Sequence, residues 1–265
     1  MKSKRKIVAA AACVLMAAVA GCKKQASTGE TVPKPNFTTI DWANAGTIEG
    51  TVHYVKTPPR PILIDMSQDP ACGLGPANDS EQYVVNHGGF ANVFIYVKDG
   101  LGNKVYAASS QPVDIDQKNC RYVPHVVGVM VGQPVRFINS DPTMHNVHIQ
   151  PTTPGNHTVD LSQAPAGSAN QPQDETTFNA PELMISVRCN MHPWMQGYIN
   201  AASNPFFAVS DASGRYVIKG LPPGTYTVVT DQEQLGQKIA TVTVAAKQTA
   251  SQDFTYGDGP GSTQP

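Results

Sequence analysis

The sequence predicts an all-β protein, a sandwich or barrel of many short strands, on three observations. Its 22 glycines and 22 prolines are spread along 265 residues, which leaves no room for a helical bundle. The apolar runs between them are short and rich in Val, Ile, Thr and Tyr, the residues that fit a pleated surface. The length suits one large or two small domains.

The first residues are an address. Met1–Lys6 is basic, Ile7–Ala20 is apolar and uncharged, and Val19-Ala20-Gly21-Cys22 follows, the three-part form of a secretory signal spanning residues 1–21. The run is too short to span a bilayer by itself. Once Lys2, Lys4, Arg5 and Lys6 leave with it, 15 basic groups face 20 acidic ones. That mild acidity argues against a nucleic-acid partner. Polar residues 22–45, with two prolines, read as a flexible tether.

From Thr47 the text alternates, with Ile48, Gly50, Val52 and Tyr54 on one face, until Pro58-Pro59-Arg60-Pro61 stops it. Further strands are expected at Gln82–Val85, Ala91–Lys98, Val113–Ile115, Val126–Met130, Pro134–Asn139, Met184–Arg188 and Gly197–Ala201. Residues 151–177, poor in large apolar side chains, predict a long surface excursion. After Pro205, Asp211-Ala212-Ser213-Gly214 and Leu221-Pro222-Pro223-Gly224 mark tight turns between strands,. The domain reading is 46–204, then a small β module at 205–256, then a disordered tail at 257–265.

Of five cysteines, Cys13 leaves with the signal and Cys22 sits at its boundary. Cys189 has metal-ligand neighbours. Cys72 and Cys120 have none, and in an oxidising compartment they are expected to pair; two separate buried thiols are the alternative.

The chemistry is concentrated in two segments, Asn139–His148 and Val187–Gly197. The second contains Cys189-x-x-His192-x-x-Met195. A thiolate, an imidazole and a thioether on one turn are soft-to-borderline donors, a set that selects copper over magnesium, calcium or manganese. His145 would supply a second imidazole. Zinc also accepts one cysteine and two histidines. The chain has seven histidines and no His-x-His pair, against the larger histidine sets of multicopper oxidases, so it is not expected to be an enzyme. His148 lies three residues past His145, on the opposite strand face, and reads as structural or as a secondary copper contact. His53, His87, His125 and His157 stand alone.

These segments resemble those of the cupredoxins, with the short loop spacing of amicyanin. The resemblance implies a Greek-key β-sandwich or barrel holding one type 1 copper through His145, Cys189, His192 and axial Met195. It makes Asn146 the residue that ties the two ligand loops, and Met191 apolar cover. Met144 departs from the proline usual before that histidine. The resemblance further implies one-electron transfer through the His192 edge, with Pro193 and Trp194 as a docking surface for a redox protein; Trp194 reads equally as core. Copper storage or delivery without obligatory electron transfer is the alternative. Residues 205–256 resemble the carboxypeptidase-regulatory-like module, a transthyretin-like β-sandwich. The Gly46-x-Ile48-x-Gly50-x-Val52 strand resembles the first strand of that module, so residues 46–66 are candidates to complete it. Cys22 resembles the lipidated cysteine of bacterial lipoproteins, which implies a lipid-anchored protein of the cell envelope, on the periplasmic side of the outer membrane where there are two membranes.

Overall fold

The computed structural model describes residues 36–169 and 174–258. The signal, Cys22, the tether up to residue 35 and the tail from 259 lie outside the described residues. Strands dominate what is described, and the one α-helix among them is a single turn, Pro70–Gly73.

Four sheets surround two main apolar cores. One sheet runs in the order Arg215–Leu221, Gly46–Tyr54, Gly89–Phe90, Val85–Asn86, with Thr249–Ser251 and Phe254–Tyr256 pairing parallel to Gly46–Tyr54. A second runs Phe207–Val209, Phe94–Asp99, Gly224–Gln232, Gly236–Val244. Between them Ile48, Val52, Phe90, Ile95, Val97, Ile218, Tyr226 and Val228 are fully or nearly fully buried. Alternation decides which side chains enter: in Arg215–Leu221, Tyr216 and Ile218 are buried while Arg215, Val217 and Lys219 face solvent, as a period of two requires.

The glycines of the first strand have a steric cause. A Cβ on Gly50 would lie 1.8 Å from the backbone oxygen of Gln252, and one on Gly46 2.3 Å from Val244. The returning C-terminal chain packs against the strand at glycine.

The boundary expected at residues 204 and 205 is corrected by the strand pairing. Gly46–Tyr54 pairs with Arg215–Leu221, and Phe94–Asp99 lies between Phe207–Val209 and Gly224–Gln232. The first lies within residues 46–66, the candidates to complete the module, and agrees with that expectation; the second, Phe94–Asp99, comes from the segment assigned to the other domain. About fifty residues are marginal as an independent core, and the module here takes strands from far upstream.

The other two sheets hold the second core. One runs Val159–Gln163, His145–Ile149, Glu182–Arg188, Gln196–Ala202, Val126–Met130; its partner runs Asp174–Thr176, Val135–Asn139, Val113–Gln117, Tyr122–Val123. Val129, Val135, Phe137, Val147, Ile149, Val187 and Ile199 are fully buried there. The expected loop at 151–177 is therefore also corrected, since it carries strands in both sheets. Its Gln163 faces His145 across the ladder, is 1% exposed, and donates to Phe137 O at 3.0 Å and Asp174 Oδ2 at 3.1 Å. A buried amide with partners replaces the apolar signal that would have marked a strand.

Residues 205–256 produced alone should show no cooperative thermal melt by circular dichroism, because Gly46–Tyr54 and Phe94–Asp99 are missing. A cooperative melt of that fragment would contradict the shared-sheet architecture.

Candidate metal centre

Cys189 to Met195 is the hairpin loop between Glu182–Arg188 and Gln196–Ala202, whose last and first residues pair. The loop is closed by its own backbone: Cys189 N donates to Met195 O at 3.3 Å and Met195 N to His192 O at 2.9 Å. His145 opens the neighbouring strand, which pairs antiparallel with Glu182–Arg188 through His148 and Arg188. That register delivers His145 to the loop from 44 residues upstream of Cys189.

His145, Cys189 and His192 each offer a donor atom within 4.8 Å of the others, and all three are buried. The two Nδ1 atoms lie 2.9 Å apart, and Cys189 Sγ is 3.6 Å from His192 Nδ1. Met195 is 1% exposed and belongs to the same core cluster as Cys189. Asn146 bridges the two segments: its N–H donates to Cys189 Sγ at 3.3 Å, and its Oδ1 accepts from Asn190 N at 3.2 Å.

Two residues that the sequence did not single out stand behind the histidines. Asp141 Oδ2 is 2.9 Å from His145 Nε2, and Asp69 Oδ2 is 2.9 Å from His192 Nε2. Asp141 carried a weak local signal, four residues before His145 in the same segment. Asp69 carried only that of a helix cap before proline: its Oδ1 accepts from Ala71 N at 2.7 Å. Nothing local ties it to a histidine 123 residues away.

The two carboxylates decide the chemistry of the centre. A carboxylate at Nε2 draws the ring hydrogen to that nitrogen, so each Nδ1 presents a lone pair. Two such lone pairs at 2.9 Å, beside a thiol sulfur, repel unless a proton or a cation lies between them. Burial pushes the Cys189 thiol up, but the N–H groups of Asn146, His192 and Met191, and a His145 ring that can donate to the sulfur when it carries a hydrogen on both nitrogens, pull it down to about 6. Burial disfavours charge on His145, yet Asp141 and Cys189 raise its pKa. Asp141 and Asp69 resist burial and are held below the usual carboxylate range, chiefly by their histidines. Two imidazole nitrogens, a sulfur ionised near neutrality and a buried thioether in the loop form a donor set that fits copper, and without the thioether zinc.

The other sequence-marked residues separate. His148 bonds Asn190 Oδ1 through Nδ1 at 2.9 Å and belongs to none of the donor groups found among the described residues. His125 is buried and satisfied, 2.7 Å from Glu233 Oε1 and 3.1 Å from Gln196 O. Met191 is half exposed, at 51%. Cys72 and Cys120 form a disulfide, with an S–S distance of 2.04 Å.

The docking surface is corrected in one respect. His192 is 3% exposed and its outer nitrogen is capped by Asp69, so its edge is not open to a partner. Pro193 is exposed and Trp194 half-buried. The Trp194 ring lies 5.1 Å from that of His192.

Residues 200–257 match the family model of the carboxypeptidase regulatory-like domain, which covers the module read at 205–256. No curated protein matches the chain significantly. Among solved structures, similarity is to a copper-containing nitrite reductase from Thermus scotoductus SA-01, at 19% identity over 40% of this chain and 26% of that one, with a TM-score of 0.31. This chain thus spans about a quarter of that reductase. A pseudoazurin from Sinorhizobium meliltoi is similar at 17% identity over 34% and 73% of the two chains, with a TM-score of 0.29. Amicyanin from Paracoccus versutus is similar at 18% identity over 41% and 97%, with a TM-score of 0.27. These likenesses to cupredoxins are weak and partial.

The Cys189 pKa sets a pH signature. A thiol ionising near 6 in the fold against 9.0 when free stabilises the fold fully above pH 9 and loses that contribution as pH falls through about 6. The ultraviolet thiolate band of the metal-free chain should titrate with a midpoint near 6 and be absent from Cys189→Ser. A midpoint at or above that of a free thiol would contradict the environment described.

Proposed function

We propose that the protein is a type 1 copper electron-transfer protein, bound to the cell envelope through Cys22. The observation that carries this reading is the pair of inward-facing Nδ1 atoms of His145 and His192 beside Cys189 Sγ. Copper held there would supply a one-electron Cu(I)/Cu(II) couple. The chain's own part is to hold the donors still. His145 comes from a strand paired on both sides, Cys189 and His192 from a loop closed by two backbone hydrogen bonds, and the packed core beneath resists rearrangement. Asn146 keeps the two segments in register by bonding both. Met195, buried in the same loop, would offer a thioether to the metal. Burial of every donor excludes water from the sulfur and raises the strength of each electrostatic contact.

A redox protein partner would then approach over Pro193 and Trp194, whose ring lies 5.1 Å from that of His192. Weak redox encounters use small interfaces and release quickly. Storage or delivery of copper is the second reading, favoured by the covered His192 edge, which limits direct contact at the imidazole.

The full chain loaded with Cu(II) should bind one copper, show an intense visible thiolate-to-copper band and a matching paramagnetic spectrum, and lose its colour on mild reduction. A Cys189→Ser chain that stayed coloured would overturn the assignment. Tight zinc binding with no such band would favour zinc. Copper transfer to a metal-free acceptor faster than electron exchange would favour delivery.

A further inference from the structure

Both ligand histidines are braced by carboxylates that converge on a single crosslink. Cys72 Sγ lies within 4.8 Å of donor atoms of Asp69 and His192, and Cys120 Sγ within 4.8 Å of donor atoms of Asp141 and His145. The two sulfurs are one disulfide. On the Cys120 side, Asn119 and Cys120 both take φ of +54, a left-handed pair that is costly for non-glycine residues. Their N–H groups donate to the two oxygens of Asp141 at 2.7 and 2.8 Å.

On the Cys72 side the segment from Ile62 to Ser80 forms a strap. It is closed by Ile64 N to Asn78 O at 2.8 Å and Ser80 N to Ile62 O at 2.9 Å. Asn78 Nδ2 fastens it to Asn119 O at 2.6 Å. Asp69 rides on this strap, where it caps the Pro70–Gly73 turn, accepts from Thr143 Oγ1 at 2.9 Å and meets His192 Nε2.

We infer that Asp69 is a positioning residue of the metal centre: held by the strap and its disulfide, it fixes the hydrogen of His192 on Nε2, frees Nδ1 for a metal, and closes the ring edge to solvent. The inference rests on the metal-binding reading above and adds a residue outside both ligand segments. Its Oδ1 is committed to the helix cap, so only Oδ2 is available to His192. Asparagine at this position can match one of those contacts but not both, since one of its two atoms is a donor. An amide hydrogen facing Nε2 would drive the ring hydrogen to Nδ1, the atom that a metal needs free.

The test uses the full chain and two readouts. Nitrogen NMR of the metal-free protein with labelled histidine should find the His192 hydrogen on Nε2 in the parent, and a shifted tautomer balance in Asp69→Asn. Chelator competition should show Cu(II) affinity lowered about 10- to 100-fold in Asp69→Asn and Asp69→Ala, with the thiolate-to-copper band retained because Cys189 is untouched. Parent protein with the hydrogen on Nδ1, or variants that bind Cu(II) as tightly as the parent, would overturn the role of Asp69. The expected tautomers in a parent chain with no copper band would uphold Asp69 and sink the copper reading instead.

Discussion

Two imidazole lone pairs and a sulfur forced to one buried point form the constraint on which the rest of the structure depends. The arrangement is unfavourable in the bare chain, because like dipoles face each other at 2.9 Å with little water to screen them. It persists because the surroundings over-determine it. Carboxylates hold the far side of each ring, backbone N–H groups stabilise charge on the sulfur, and a hairpin loop fixes the spacing of Cys189 and His192.

Those supports come from four separated parts of the chain. The strap brings Asp69, the Cys120 turn orients Asp141, the His145 strand brings His145 and Asn146, and the loop after Glu182–Arg188 brings the sulfur and second imidazole. The disulfide joins the first two, so one covalent link serves both histidines. It closes a loop with a sequence separation of 48 residues, and crosslinking constrains the unfolded chain more the longer the loop. The module around Ile48, Ile95 and Ile218 stands apart in its core residues. The two cores meet around Phe94, Val126 and Ala202, where a Cβ on Gly128 would lie 2.7 Å from the rings of Phe94 and Phe207.

Legibility followed the range of the interaction. Strands with regular alternation, such as Gly46–Tyr54 and Arg215–Leu221, were readable because burial of every second residue leaves a local pattern. Val159–Gln163 and Asp174–Thr176 were not, since their inward side chains include a polar glutamine whose partners are distant in sequence. The loop from Cys189 to Met195 was readable as a candidate donor set because three donor side chains fall within seven residues. Asp69 was unreadable as a histidine partner, because an aspartate before proline looks the same whether or not a ring lies above it. The open His192 edge was what the cupredoxin resemblance implied, and the residues that carry that resemblance hold no record of the strap.

The sequence by itself determined the all-β class and the donor types and spacing of Cys189, His192 and Met195, because each depends on residue chemistry or on neighbours close along the chain; it favoured the pairing of Cys72 with Cys120, 48 residues apart, which the fold completes. Only the tertiary structure decided that Phe94–Asp99 also joins the small C-terminal module, and that both histidines are backed by carboxylates. Such pairings are selected by which surfaces can bury one another and which buried polar atoms can be satisfied, and those are properties of the assembled chain rather than of any segment.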